Sequence, residues 1–293
     1  MFALRFILFL AAAATIFGAT RSPAQAPPAE TVVISQRVRL EGGMTRADAE
    51  RVALEAAMAE AVRRVAGVRV AGTESMVTGD SAGTISSRYL ASVRLDAEGH
   101  VVGWVVERAR WLTIKQRRSP SDLVFEATYR VTVARDAGRA DAGFRLTMAV
   151  NRSRFGVRSA TAADNDEVIA TITPTREAYL TLASISGDSA RRLVPNQVIA
   201  TARVEAGARS EWPSAEWRDR GLRFRVGLPP GTDRRTEVLA AVATSEPVPW
   251  PRADGAPVSL PEFNRWLVAI PADRRAVAQQ TVMVERVGVD ANK

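Results

Sequence analysis

The sequence predicts an α+β unit over residues 31–140, one long helix on a small antiparallel sheet. A mostly β, sandwich-like unit follows over residues 143–288. Three observations predict this. Only residues 45–66 sustain a helical apolar period over several turns. Short β-branched or alternating runs, separated by Gly, Pro and Asn, fill most of the remainder. The 293 residues are roughly two domains' worth at about 150 residues each. An apolar content of 46% and a charged content of 25% suit a globular chain and argue against extended disorder or a polytopic membrane protein.

Residues 1–24 read as a secretory signal peptide. Arg5 is the only charge ahead of the apolar run 6–17, and small residues follow, with Ser22 and Ala24 at the −3 and −1 positions of a cleavage after Ala24. As a helix that run would span about 18 Å, short of a hydrocarbon core of about 30 Å, so removal is expected rather than anchoring. Residues 25–30 (QAPPAE) form a Pro-rich linker, stiffened toward polyproline II. No later apolar run reaches spanning length, so the mature protein is expected in the periplasm or outside the cell, with no membrane span.

Residues 31–40 (TVVISQRVRL) have strand composition, and Gly42-Gly43 breaks them off. Thr45 stands three residues before Asp48, a capping-box spacing that opens a helix running to residue 66. Leu54, Met58, Ala61, Val62 and Val65 share one face of it, and its many alanines permit close approach to a sheet. Gly67 supplies a stop. A strand at 68–77, a short helix at 85–93 and strands at 101–115 and 122–134 are expected to follow.

The helix segment 45–73, then 85–90 and then Glu98-Gly99-His100-Val101-Val102-Gly103-Trp104 resemble the N-terminal domain of flagellar assembly protein T and related small envelope lipoproteins. The chain departs from the lipoprotein branch in having no cysteine to carry a lipid.

In the second unit, Phe144, Leu146, Met148 and Val150 alternate with polar residues and predict a strand at 143–150. Further strands are expected at 166–173, 178–185, 189–195, 223–228, 237–244 and 281–287, with a helix at 261–267 burying Phe263, Trp266 and Leu267. Pro229-Pro230-Gly231 fits a type II turn with Gly at the position that needs positive φ. This half resembles the domain-of-unknown-function family 4384. The resemblance is carried in order by Asp166-Glu167-Val168, Ala178-Tyr179-Leu180-Thr181-Leu182, Leu193-Val194-Pro195-Asn196, Val204-Glu205-Ala206-Gly207, Pro230-Gly231 and Phe263-Asn264-Arg265-Trp266-Leu267. It implies a β-rich accessory module without known catalytic residues.

Chemistry is constrained by what is scarce. With no cysteine and one histidine, His100, a disulfide framework, a Cys-ligated metal, a thiol nucleophile and a two-His metal site within the chain are all excluded. Gly79-Asp80-Ser81-Ala82-Gly83 matches a hydrolase nucleophile elbow, but His100 follows too closely and too little chain precedes Ser81. The tetrapeptide recurs at Gly187-Asp188-Ser189-Ala190, so both read as turns. Residues 164–167 (Asp-Asn-Asp-Glu) offer oxygen ligands for calcium but lack the glycine and terminal glutamate of a loop site. Trp212, Trp217 and Trp250 lie near loops and are expected to cap the core ends rather than stack on sugars. Tyr179 and Asn196 read as a strand aromatic and an Asx turn.

The net charge is +8, and the halves of the mature chain carry 17 basic against 14 acidic and 21 against 18. Basic doublets lie scattered among acids, the opposite of a nucleic-acid-binding element, though an anionic envelope surface is a candidate partner. The reading is therefore a non-catalytic accessory protein of the cell envelope, with no catalytic, metal or cofactor residue, acting on an envelope protein as yet unidentified. An envelope hydrolase and a flagellar or secretion assembly factor are the alternatives.

Overall fold

The computed structural model describes residues 28–66, 99–114, 122–159, 161–252 and 254–287. The expected leader, the stop at Gly67, the strand at 68–77, the helix at 85–93 and the motif around Ser81 lie outside them. Strands make up 47% of the described residues, about twice the usual share, so the fold is mostly β.

Strand β1 (Ala29–Arg39) pairs antiparallel with β3 (Asp122–Arg135), which pairs antiparallel with β2 (Gly99–Ile114), giving a sheet in the order β1-β3-β2. Helix α1 (Arg46–Ala66) covers one face. Its capping box forms as the spacing predicts. The Thr45 hydroxyl accepts from Asp48 N (3.1 Å), and Asp48 Oδ2 accepts from Thr45 N (3.1 Å) and from the Thr45 hydroxyl (2.7 Å). These bonds hold the Asp48 carboxyl below its ordinary range, and Arg51 adds to the effect. Thr45→Ala is expected to cost about 1 kcal/mol in a urea melt, and a cost near zero would show the cap to be idle.

The buried face of α1 differs from the expected stripe. Ala49, Val52, Ala53, Ala57, Met58, Ala61 and Val65 are buried, whereas Leu54 and Val62 sit at the margin. Small side chains win the centre because the helix lies close to Phe125, Ala127, Tyr129, Val131 and Val133 of β3. Closeness also explains Gly99, where an added Cβ would stand 2.9 Å from the Ala66 Cβ. The opposite sheet face is a charged ladder in which Glu126 is held between Arg37 (2.6 Å) and Arg110 (2.5 Å).

The remaining chain supplies β4 (Leu146–Val150), β5 (Arg154–Val157), β6 (Glu167–Val168), β7 (Ala170–Pro174), β8 (Ala178–Ser186), β9 (Ser189–Val194), β10 (Arg203–Val204) and β11 (Ser210–Trp212). Then come α2 (Ala215–Asp219), β12 (Phe224–Arg225), β13 (Arg234–Thr244), β14 (Val258–Ser259), α3 (Leu260–Ala269) and β15 (Arg275–Arg286). The main sheet runs β14-β9-β8-β13-β15-β5, with β10 added beside β8. Its ladders are antiparallel except the parallel pair β15–β5. A three-stranded sheet β11-β7-β4 and the pair β12–β6 complete the set.

Period-2 alternation makes the main sheet two-faced. Leu180, Leu182, Leu239, Ala241, Val282 and Val284 meet Met148, Ile172 and Trp212 of the smaller sheet. Ala183, Ile185, Val238, Ala240 and Val242 meet Phe263, Trp266 and Leu267 of α3. One face therefore packs sheet on sheet as expected, and the other takes a helix. The expected strand at 166–173 is two short strands in different sheets, β6 and β7, and the one at 223–228 shrinks to β12. β15 begins six residues before the expected 281. The turn at 229–232 is as expected, with Thr232 N bonded to Pro229 O and Gly231 at φ +73°.

Candidate functional site

The cleft of the fold arises where the inner face of the main sheet changes character along its strands. In β8, Leu180 and Leu182 give way on the same face to Ser184 and Ser186. In β13, read backwards, Ala243, Ala241 and Leu239 give way to Glu237 and Arg235. The register places Arg191, Ser184 and Leu239 in one row and Ser189 beside Ser186 in the next. The smaller sheet packs on the apolar end of these strands. Over the polar end a cleft of about 840 Å³ opens, within the range of ligand-binding clefts.

One wall is the segment 224–230, braced from below by Asn165. This residue is 4% exposed, and both ends of its amide are engaged. Oδ1 accepts from Arg158 N (2.8 Å) and Ser159 N (3.1 Å), while Nδ2 donates to Val226 O (3.1 Å). Arg225 adds a bond to Asn165 O (2.7 Å). Asn165→Ala would leave several backbone groups unpaired and is expected to cost about 2 kcal/mol, measured by chemical denaturation; a neutral effect would dismiss it as the brace.

The floor carries a polar chain in which the Ser184 hydroxyl donates to Glu237 Oε2 (2.9 Å) and Arg235 bridges Glu237 and Gly227 O. Arg191, Arg225 and Arg286 also line the cleft. Four arginines thus line the cleft with one carboxylate among the described residues, and that carboxylate is already engaged. Among the described residues, no carboxylate lies within ion-pair distance of Arg191 or Arg225. Arg286 reaches the exposed Asp233 at 3.5 Å. The site is an electropositive cleft with hydroxyls on its floor and aliphatic walls. As candidate site residues the sequence pointed here only to Asn165, as part of the candidate calcium segment 164–167, and to Ser189, as part of a turn motif, and to neither for the role it has here. The signal was the simultaneous switch from apolar to polar on one parity in β8 and β13, which becomes a site only once the strands are known to be neighbours.

Apart from Asn165 and Ser189, the residues that sequence reasoning did single out fall elsewhere. Trp212 is buried in the core between the two sheets, and Trp217 packs against the same core while Arg220 lies 5.2 Å over its ring. Trp250 is buried with Phe263 and Trp266, ring centroids 5.9 and 5.3 Å away. Asn196 forms its Asx turn, accepting from Val198 N (2.8 Å) and Ile199 N (2.7 Å), and Tyr179 is a half-buried strand residue. In residues 164–167 two of the three acids turn toward arginine. Asp166 pairs with Arg158 (2.6 Å) and Arg152 (3.2 Å), and Glu167 with Arg223 (2.7 Å). Burial pushes the Asp166 carboxyl up, but the Gly156 N–H and the two arginines outweigh it and hold the group below its ordinary value. Gly187-Asp188-Ser189-Ala190 is the turn and first step of the β8–β9 hairpin, with Gly187 at φ +58°.

His100 lies on the α3 side of the main sheet, away from the cleft. It is 3% exposed, and its Nε2 stands 3.4 Å from Asp136 Oδ1, without hydrogen-bond alignment. Asp136 Oδ2 pairs with Arg275 at 2.5 Å. Arg275 is itself buried and donates to the carbonyls of Leu267 and Ile270 at the end of α3. Burial raises the Asp136 carboxyl, while His100 and Arg275 outweigh it and hold it below its ordinary value. Asn264 of α3 donates to Val101 O (2.8 Å) beside this cluster. The imidazole is thus part of the junction between the three-stranded sheet and α3, and no cleft serine has it as a base.

No family model matches the chain, and no curated protein matches it. Among the described residues no helix is long and apolar enough to cross a membrane.

Proposed function

We propose that this is a non-catalytic binding protein of the bacterial cell envelope, exported by residues 1–24 and acting on a protein partner, with two structural units at 31–140 and 143–288. The observation that carries the reading is the cleft. Its guanidiniums, hydroxyls and aliphatic walls are means of holding a ligand, while the chain's one imidazole is committed to a buried junction elsewhere. The leader pattern supports an extracytoplasmic setting. The resemblances to flagellar assembly protein T and to the domain-of-unknown-function family 4384 support an accessory role.

The test has two parts. Expression of the full chain in a Gram-negative host, followed by fractionation and N-terminal sequencing, is expected to return periplasmic protein beginning at Gln25. Affinity capture from envelope extracts is expected to return one saturable protein partner; capture of none rejects the binding role. The hydrolase alternative rests on Ser81, and esterase activity abolished by Ser81→Ala would establish it instead.

A further inference from the structure

We infer that the cleft between β8, β9, β13 and the 224–230 segment is a peptide-binding site, selective for a short acidic segment that alternates carboxylates with aliphatic side chains. The inference rests on the proposed binding function and names the chemistry of its partner.

Charge comes first. Arg191, Arg225, Arg235 and Arg286 converge on a cleft whose one carboxylate among the described residues, Glu237, is already bridged by Ser184 and Arg235. Elsewhere on this protein a cluster of arginines comes with its own carboxylate: Arg37 and Arg110 share Glu126, Arg152 and Arg158 share Asp166, and Arg203 meets Glu177. Among the described residues Arg191 and Arg225 have no carboxylate within ion-pair distance, and they share this property with others such as Arg108 and Arg209. What sets them apart is that both line the same cleft. A guanidinium presents a planar fork that fits a carboxylate with two parallel bonds, so an incoming carboxylate completes an arrangement the fold leaves open.

Shape and polarity then choose among anions. The walls include Leu193, Phe224, Leu228, Pro229, Pro230 and Pro257, which gain from apolar side chains and gain nothing from a bare phosphate. A sugar acid would look for exposed aromatic faces to stack on, and Phe224 is the one aromatic in the lining. A peptide supplies both needs in alternation, as the side chains of an extended strand do. The floor serines Ser186 and Ser189 offer hydroxyls to its backbone.

The test uses the full mature chain and three fluorescein-labelled nine-residue peptides alternating leucine with glutamate, glutamine or lysine. The glutamate peptide is expected to bind saturably by fluorescence anisotropy. The glutamine and lysine peptides should bind at least tenfold more weakly, and raising NaCl from 0.05 to 0.5 M should weaken the glutamate peptide several-fold. Arg191→Glu, which removes no described hydrogen bond, should weaken binding at least tenfold. Arg225→Gln should weaken it while keeping a donor for Asn165 O, and Arg37→Gln on the far sheet should leave it unchanged. Unchanged circular dichroism melts would show that the variants fold.

Equal binding of the glutamine peptide, no binding of the glutamate peptide, or displacement of it by polygalacturonate or inorganic phosphate at the same anion concentration overturns the inference. If the captured envelope partner still binds Arg191→Glu protein, the cleft assignment falls while the binding function stands. Capture of no partner by the native protein is a failure of that function instead.

Discussion

Arg275→Met is expected to lower the stability of the protein by about 3 kcal/mol at neutral pH, because it leaves Asp136 buried without its closest partner. Arg275 is 6% exposed and makes three attachments at once: to Asp136 just beyond β3, and to the carbonyls of Leu267 and Ile270 where α3 ends. Those carbonyls lie at the helix C-terminus, where Leu267 O accepts only the capping Ile270 N–H (3.1 Å) from the backbone, and a cation there also meets the negative end of the helix dipole. The effect carries a pH signature. The Asp136 carboxyl titrates below its ordinary value in the folded state, so it adds stability that is fully present above the unfolded value, about 4. That stability is lost as pH falls through the lower folded value, where the folded protein must also take up the proton. The difference between native protein and variant should therefore shrink in urea melts at pH 3 relative to pH 7. An equal loss at both would show that packing, and not the ion pair, is responsible. The double variant Asp136→Asn with Arg275→Met should recover part of the loss, since it removes the stranded charge along with its partner.

Phe263→Ala is expected to cost about 4 kcal/mol, the range for deleting a fully buried aromatic. Phe263 has no exposed surface and stands between Trp250 (5.9 Å) and Trp266 (5.6 Å), so its loss opens a cavity under two indoles. Equilibrium denaturation followed by tryptophan emission would measure it, with an accompanying loss of near-ultraviolet circular dichroism. A cost under about 1 kcal/mol would mean that α3 repacks freely and is not the anchor described above. Trp266 binds Pro249 O through Nε1 at 2.9 Å, which argues against free repacking.

What could be read from the sequence follows the range of the signal. α1 was legible because its apolar period and the Thr45–Asp48 pair lie within a few residues of each other. β1, β3, β8 and β9 were legible because each is long enough to show composition or alternation. Strands of two to four residues such as β5, β10 and β11 show neither, and they exist because a neighbouring strand offers them a ladder. The centre of the buried face of α1 was misplaced for a related reason. Hydrophobicity ranks Leu54 above Ala57, but the short distance to β3 admits alanine and pushes leucine to the margin. The cleft was not legible at all, because no motif within it is local.

By itself, then, the sequence determined the caps, turns and longer elements, the alternation of faces along each strand, and the exclusion of thiol and two-histidine chemistry. It also showed that Gly187-Asp188-Ser189 is turn material. Only the tertiary structure decided which faces meet. It gathered Arg191, Ser184 and Glu237 from three strands onto one floor, and it brought His100, Asp136 and Arg275 together from distant parts of the chain. The physical reason is that local structure depends on steric and hydrogen-bonding preferences acting over a few residues. A charged cleft or a buried ion pair depends instead on the dielectric and the neighbours that long-range packing supplies.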